Sequence, residues 1–354
     1  MKKPIFLKDV LRQLKADLIG KDSYRGVTLT YSWLANQFGH FSLGYVPTLI
    51  VYSFLRESTI ENPSFWAAVS ISCLWLLFET YNFLGPLLLD KHSQSKLSTV
   101  ARRKYTFQPA WRNVAFDTFT DICFFWFGAF SASLFLQFSR TIVYILITIF
   151  LILIYPVRYW FLTKMYIQYA GLPIQFRLSQ WEGDMGENDK KTVLEFLDTE
   201  NNSLGKHLLI FGGRGSGKNL LSVGIATELS IKRYSCSYYT GMKLYSLFSL
   251  TDQEIIKVEN CNAWSWRTAS LLVIDDINPG SPISQVFISP HQLLTLIDTP
   301  VRANMAVQNR TELINKNVIW VMGDKDNESN QPNGWIKLLT DIGVAKDKIY
   351  SIEL

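Results

Sequence analysis

Charged residues are scarce in this sequence, and the scarcity is local. Only 18% of the 354 residues are charged, against roughly 25% in an ordinary soluble domain. Lys and Arg exceed Asp and Glu by seven in residues 1–163, are three fewer in 164–204, and exceed them by one in 205–354. The C-terminal part therefore lacks the basic surface that nucleic-acid binding requires, and nucleic acid is not an expected partner.

Paired cysteines are missing as well. The four cysteines show neither a disulfide framework nor the spacing of a zinc site. We interpret Cys73, Cys123, Cys236 and Cys261 as reduced thiols without a structural or metal-binding role. The 48% hydrophobic content excludes a disordered chain, and glycine and proline are too scattered for a collagen-like one. The first apolar run starts too late for a cleaved signal peptide and lacks a small-residue cleavage pattern, so we expect no such peptide.

The N-terminal part has long apolar runs instead. Four stretches come close to the roughly 20 helical residues that cross a bilayer: Ser32–Leu55, Phe65–Leu89, Ile122–Ser139 and the 17 residues between Arg140 and Arg158. The segment before the first stretch contains seven Lys and Arg residues, and the connections that follow the first, second and third stretches contain one, six and one. Because positive charge favours the cytoplasmic side, the sequence predicts four inner-membrane spans, a tight turn near Arg140 and cytoplasmic N- and C-termini.

Acidic residues occur inside and beside these predicted spans. Glu79 interrupts the second, and Asp117 and Asp121 share a helix face near the start of the third. A carboxylate in lipid is costly, so it indicates an ion or proton path or an interhelical hydrogen bond. For the two aspartates we favour pairing with Arg112 or with the basic residues 102–104.

The predicted domain organisation follows from these patterns. Residues 1–31 are predicted to be a cytoplasmic segment, and residues 2–21 within it predict an amphipathic helix. The leucine face of this helix could bind the anionic inner leaflet or pack on the protein's own cytoplasmic domain. Residues 32–163 are a four-helix transmembrane region with membrane lipid as its partner, 164–204 an acidic linker, and 205–354 a separate domain.

In residues 205–354, short apolar runs alternate with amphipathic segments, which is typical of a parallel sheet with crossover helices. The predicted strands are His207–Phe211, Ser235–Thr240, Ser270–Ile274, Asn317–Met322 and Ile349–Glu353. The predicted helices are Asn219–Ile231, Gly241–Phe248, His291–Ile297 and Asn333–Ile342.

A glycine-rich loop joins the first of these strands to the first helix. It matches the Walker A phosphate loop, or P-loop, in its required context of strand, loop and helix, and its predicted nucleotide-binding residues are Gly212, Gly213, Arg214, Gly215, Ser216, Gly217, Lys218, Asn219 and Leu220. Backbone N–H groups and the helix N-terminus cradle phosphates in such loops, and Lys218 is predicted to reach the β- and γ-phosphates.

Asn219 stands where the pattern has Ser or Thr, whose hydroxyl ligates Mg²⁺. An amide oxygen also binds a hard cation, but it is larger and differently placed. We expect nucleotide binding to survive this departure, whereas metal geometry and turnover depend on it.

Two acids follow the third predicted strand. Asp275 and Asp276 lie at its carboxyl end, where α/β domains bind ligands, and this arrangement is similar to Walker B. Asp275 is predicted to hold Mg²⁺ together with Asn219, and Asp276 to polarise the attacking water. Residues 324–327 read Asp-Lys-Asp-Asn rather than the guanine-specific Asn-Lys-x-Asp, so ATP and Mg²⁺ are the expected cofactors.

These motifs resemble the AAA+ superfamily, and within it the helicase-loader and transposase-helper branch. The resemblance covers 205–354 and implies a five-stranded sheet of order 5-1-4-3-2, ATP binding, and assembly with further copies or a protein partner through this domain. It places Gly323 or Asp324 at the sensor-1 position, so Asp324 joins Lys218 and Asp276 as a predicted catalytic residue. The fold class expected for the chain is an α-helical bundle of four spans followed by an α/β P-loop NTPase domain.

Two features that the resemblance implies are absent from the sequence. No arginine follows Arg310, so the position that usually carries the arginine finger has no arginine. Arg302, Arg310 and Arg214 of the loop are the candidates to replace it. We also expect no helical lid with its arginine after the fifth predicted strand. A partner could supply the missing arginine in trans, as in other P-loop proteins.

Three functions are compatible with these observations. We favour a membrane-anchored ATPase whose nucleotide state drives or gates a membrane-associated assembly. The first alternative is a nucleotide-sensing switch or scaffold with little hydrolysis, which Asn219 and the absent finger and lid favour. The second is a transporter or pore subunit, supported by Glu79, Asp117 and Asp121.

Overall fold

The computed structural model describes residues 4–19, 26–93, 106–198, 204–259, 263–278, 288–298, 303–324 and 331–354. The helices are α1 (Leu7–Leu18), α2 (Leu29–Leu55), α3 (Pro63–Ser93), α4 (Trp111–Leu136), α5 (Arg140–Tyr169), α6 (Glu187–Leu197), α7 (Lys218–Ile231), α8 (Gly241–Leu247), α9 (Asp252–Glu259), α10 (Pro290–Asp298), α11 (Ala303–Ile314) and α12 (Pro332–Ile342). The strands are β1 (His207–Phe211), β2 (Cys236–Thr240), β3 (Leu271–Asp275), β4 (Asn317–Val321) and β5 (Ile349–Glu353).

The chain divides into two compact units. The sheet unit comprises Met1–Leu14, Arg103–Gln108 and Met165–Leu354, and the helical unit comprises Lys15–Arg102 and Pro109–Lys164.

Four helices, α2 to α5, are long and apolar enough to cross a membrane, by length and composition. The prediction of four candidate spans is therefore confirmed at that level, whereas their orientation stays a prediction. Only residues 137–139 separate α4 from α5, which confirms the tight turn predicted near Arg140.

Within the helical unit, α2 and α4 pack backbone against backbone at two glycines. A Cβ atom added to Gly44 would lie 2.0 Å from the carbonyl oxygen of Phe125, and one added to Gly128 would lie 2.0 Å from that of Phe41. Small residues allow this close approach between membrane helices. The Phe125 ring also stacks on Trp75 of α3, with 4.2 Å between ring centroids.

The interpretation of Asp121 needs a correction. Its carboxylate oxygen lies 3.0 Å from Nδ1 of His40 on α2, rather than against Arg112. The His40 ring in turn stacks on Phe125 at 4.7 Å. The sequence offered no partner across the bundle because helix pairing is not visible in spacing along one helix. The alternative partners 102–104 lie outside the described residues.

The amphipathic segment forms α1, and two of its polar residues, Gln13 and Asp17, are buried. On the predicted apolar face, Leu7, Leu11 and Leu18 are exposed, whereas Val10 and Leu14 are half-buried. Both alternatives for this face, the inner leaflet and the protein itself, stay predictions.

The sheet unit contains five parallel strands in the order β2-β3-β4-β1-β5. This is the predicted order 5-1-4-3-2 read from the other edge, so the sheet and its topology are confirmed. Alternate residues of a strand point to opposite faces, and both faces are covered. Leu209 and Trp320 join one core with α8 to α12, whereas Leu208 and Ile319 join the other with α6 and α7.

The stretch 164–204, predicted as an acidic linker, contains a 3-10 turn at Leu178–Gln180 and the helix α6. Its apolar side chains pack into the core with α7, and Trp181, Val193 and Phe196 are fully buried there. Two helices, α9 and α11, were not predicted.

Candidate functional site

The glycine-rich loop lies at the carboxyl ends of the parallel strands, between β1 and α7. Gly215 and Gly217 have φ angles of +87° and +86°, a left-handed conformation that glycine adopts at little cost. A Cβ atom on Gly212 would lie 2.9 Å from the carbonyl oxygen of Leu354 and 2.5 Å from Oγ of Ser216. The loop therefore needs glycine for backbone geometry at two positions and for space at a third.

Lys218 is buried at the start of α7, and its Nζ donates to the carbonyl oxygen of Gly213 at 3.0 Å. Burial lowers the pKa of this amine, while the charges of Asp275, Asp276 and Asp324 act in the opposite direction. The charges of the three carboxylates that the sequence singled out thus act on one buried ammonium. A buried cation flanked by left-handed glycines and a helix N-terminus is suited to an anion such as phosphate.

Asp275 is buried at the end of β3 and accepts hydrogen bonds from three groups. The side-chain amide of Asn219 donates to Oδ2 at 2.9 Å, the Asp276 N–H donates to Oδ1 at 2.8 Å, and the Tyr238 hydroxyl also donates to Oδ2. Burial raises the pKa of Asp275, and the bond from Tyr238 opposes that rise. The Walker-type acid is therefore held in place by both neighbouring elements, α7 and β2.

Asp276 and Asp324 extend the site toward solvent. Asp276 is exposed and has a φ of +51°, an uncommon value for a residue with a Cβ, although Asp tolerates it better than most. Asp324 is half-buried just beyond β4. The preceding residue, Gly323, accepts a hydrogen bond from the Gly212 N–H at 3.3 Å, which ties the end of β4 to the phosphate loop.

The donor set at Asp275 and Asn219 fits Mg²⁺. Mg²⁺ is commonly held by one or two protein oxygens together with substrate phosphates and water, and these two side chains carry a carboxylate and an amide oxygen. Within the described part of the chain, no cluster of three or more His, Cys, Asp or Glu could hold a metal ion by itself. A metal at this place would thus depend on the nucleotide for its remaining ligands.

Ser216 supplies a further sign that the loop is built for a ligand. Its hydroxyl oxygen is buried and has no hydrogen-bond partner among the described residues, which is uncommon in native proteins. Arg214 in the loop, and Asn219 and Leu220 in the first turn of α7, are exposed.

Two residues at the site were not predicted. Tyr238, on β2, reaches Asp275, and Trp181, from the stretch before α6, donates its indole N–H to the carbonyl oxygen of Gly217 at 3.0 Å. The available signal for Tyr238 was the implied adjacency of β2 and β3, and for Trp181 it was a tryptophan in an otherwise polar stretch.

The candidate substitutes for an arginine finger divide into three cases. Arg310 on α11 forms an ion pair with Asp298 at the end of α10, so its guanidinium is engaged within the sheet unit. Arg214 is exposed in the phosphate loop. Arg302 lies outside the described residues, as do residues 325–327 of the segment compared with the guanine-specific pattern.

Comparisons with known proteins add little to the geometry of the site. No protein-family model matches the chain, and no curated protein matches it. Among solved structures, a DNA replication initiation factor is similar over 51% of this chain and 50% of its own, with 19% sequence identity and a TM-score of 0.32. The alignment thus spans about half the length of that structure.

Proposed function

We propose that this protein is a membrane-anchored ATP-binding protein of the AAA+ type, whose nucleotide state drives or gates a membrane-associated assembly. The observation that carries the proposal is the buried Lys218 at the end of a strand–loop–helix phosphate loop, whose Nζ donates to the carbonyl oxygen of Gly213. The charges of Asp275, Asp276 and Asp324 act on this ammonium. The strand order and the unpartnered hydroxyl of Ser216 support it. In this proposal ATP and Mg²⁺ are the cofactors, with Asn219 and Asp275 as metal ligands.

The membrane anchor rests on α2 to α5 and on the alternation of basic residues between them. It would place the termini and the phosphate loop in the cytoplasm, at the inner membrane. Further copies of the chain, or a protein partner that supplies an arginine, are the proposed partners. The near-neutral charge of residues 205–354 argues against nucleic acid.

The alternative of a nucleotide switch with little hydrolysis has one specific observation in its favour. The Asn219 amide donates a hydrogen bond to Asp275, the carboxylate that the resemblance assigns to the metal. A serine or threonine hydroxyl at this position would be shorter and would not span that distance in the same way. In this alternative, the Asn219 amide competes with the metal for an Asp275 oxygen instead of binding the metal, which would slow turnover more than nucleotide binding.

Steady-state ATP hydrolysis by the purified full-length protein distinguishes the two. We expect measurable Mg²⁺-dependent turnover that rises about fivefold in Asn219→Ser, because removal of one competing hydrogen bond is worth on the order of 1 kcal/mol. ATP binding with no turnover in either protein would support the switch. Absence of ATP binding in both would contradict the proposed function altogether.

A further inference from the structure

A short segment before α6, Arg177–Gly183, lies along α7 and is called the strap here. A Cβ atom on Gly224 of α7 would lie 3.0 Å from Cα of Leu178, so the strap backbone packs directly on the helix. The Arg177 guanidinium donates to both carboxylate oxygens of Glu228, at 2.7 and 3.2 Å. These contacts fix the first half of the strap to the helix that carries Lys218.

The second half of the strap reaches the phosphate loop through one side chain. Trp181 is 1% exposed, and its indole N–H donates to the carbonyl oxygen of Gly217 at 3.0 Å. The same carbonyl accepts the first helical bond of α7, from the Leu221 N–H at 2.9 Å. A Cβ atom on Gly217 would lie 3.0 Å from Nε1 of Trp181. Trp181 therefore sets the orientation of the peptide that immediately precedes Lys218.

The other side of Trp181 is held by the connection between α3 and α4. The Thr106 N–H donates to the carbonyl oxygen of Trp181 at 3.3 Å, and the Thr106 hydroxyl donates to that of Gly183 at 2.7 Å. The buried Phe107 ring lies 6.0 Å from the Trp181 ring. Four residues after Phe107, the chain enters α4 at Trp111. One indole thus contacts the phosphate loop on one side and the segment leading into a candidate span on the other.

We propose that Trp181 is a positioning residue of the phosphate loop, and that it couples nucleotide binding to the segment 106–108 at the entrance of α4. This inference rests on the proposed nucleotide-binding function. A bound phosphate requires the Gly217 and Lys218 peptides in one orientation, and the indole bond stabilises that orientation. By linkage, nucleotide must then stabilise the strap and its contacts with Thr106 to the same extent.

The chain offers a matched control for the indole bond. Trp264 is 2% exposed, and its indole N–H donates to the carbonyl oxygen of Cys236 at 2.9 Å. It lies in the same unit, in a separate cluster with Tyr166 and Ala269. Trp181→Phe and Trp264→Phe each remove one buried indole bond of similar length and leave an aromatic ring.

Binding of ATP to the two full-length variants tests the positioning role. We expect Trp181→Phe to weaken ATP affinity about fivefold to tenfold, as expected for one hydrogen bond, and Trp264→Phe to bind like the unsubstituted protein at a similar loss of thermal stability. Equal affinity in both variants would overturn the proposal. Should Trp181→Phe not fold, Thr106→Val is the second variant, since it removes only the hydroxyl bond to Gly183. Its control is Thr340→Val, which removes a hydroxyl bond within α12.

Amide hydrogen exchange tests the coupling itself. Saturating ATP should slow exchange of the Thr106 amide in the unsubstituted protein, and this slowing should be lost in Trp181→Phe even when ATP saturates it. Unchanged exchange at Thr106 on ATP binding would contradict the coupling. Failure of the unsubstituted protein to bind ATP would instead contradict the proposed function, so the two failures are distinguishable.

Discussion

At the scale of single residues, the chemistry of the site centres on the carboxylate of Asp275. Its side chain is buried, and its oxygens are occupied by three donors from α7, β2 and the chain just after β3. Burial raises its pKa above the ordinary value of 3.8. The ionised form is therefore retained at a cost in stability, which is common for groups that serve function rather than folding.

This raised pKa predicts a pH-dependent effect of Asp275→Asn. A carboxyl whose folded-state pKa is raised contributes stability below its unfolded pKa, and that contribution is lost as pH rises through the folded pKa. Relative to the unsubstituted protein, Asp275→Asn should therefore gain stability as pH rises above about 3.8. Thermal unfolding of the nucleotide-free protein across this pH range measures the difference. A difference that is flat, or that falls with pH, would contradict the burial argument.

The site residues that lie close together along the chain were predicted from the sequence. Those that other elements of the fold bring to the site were missed. The loop 212–220 and the acids Asp275 and Asp276 belong to local patterns with fixed spacing. Tyr238 and Trp181 reach the site through strand pairing and through packing on α7, and neither is encoded in local spacing. The partner of Asp121, His40, was missed for the same reason.

At the scale of elements, the close approach of α2 and α4 depends on the two glycines at their crossing. Gly128→Ala should destabilise the helical unit by roughly 1–3 kcal/mol, as overpacking of a filled site does, because its Cβ would lie 2.0 Å from the Phe41 carbonyl oxygen. The expected result is a lower thermal midpoint of the detergent-purified protein.

Gly39 provides the control, since it lies on α2 and a Cβ atom there meets nothing within 4 Å. Gly39→Ala should be neutral, or stabilising by about 0.5–1 kcal/mol, because alanine favours a helix interior. If Gly128→Ala unfolds at the same temperature as Gly39→Ala, the packing of α2 on α4 described above is incorrect.

The two helices that the sequence did not predict, α9 and α11, bury few apolar side chains among those that the structure describes. On α11, Asn309 is fully buried and bonds Arg267 and the carbonyl oxygen of Phe248, so the apolar periodicity that marks a helix is interrupted. Helix α9 buries only Ile255. The strands, by contrast, were predicted nearly to the residue. Strands β1, β3 and β4 are buried apolar runs, whereas β5 buries only Ile352 and was predicted from its alternating pattern.

At the scale of the whole molecule, the chain combines four long apolar helices with a five-stranded α/β unit. If α2 to α5 cross the membrane as proposed, the protein should resist carbonate extraction, because helices that span a bilayer are not released as peripheral proteins are. Recovery of the protein in the soluble fraction after carbonate treatment of native membranes would contradict the anchor. Deletion of residues 205–354 should leave this resistance intact.

The most direct test of the central claim is ATP binding to Lys218→Ala, compared with Lys206→Ala. Both lysines are buried and donate to backbone carbonyl oxygens, Lys218 to Gly213 and Lys206 to Glu195 and Asp198, but only Lys218 lies in the phosphate loop. Lys218→Ala should lose ATP affinity at least about tenfold, as expected for a charge-assisted contact, while Lys206→Ala should bind normally. Unaltered ATP affinity in Lys218→Ala would contradict the account.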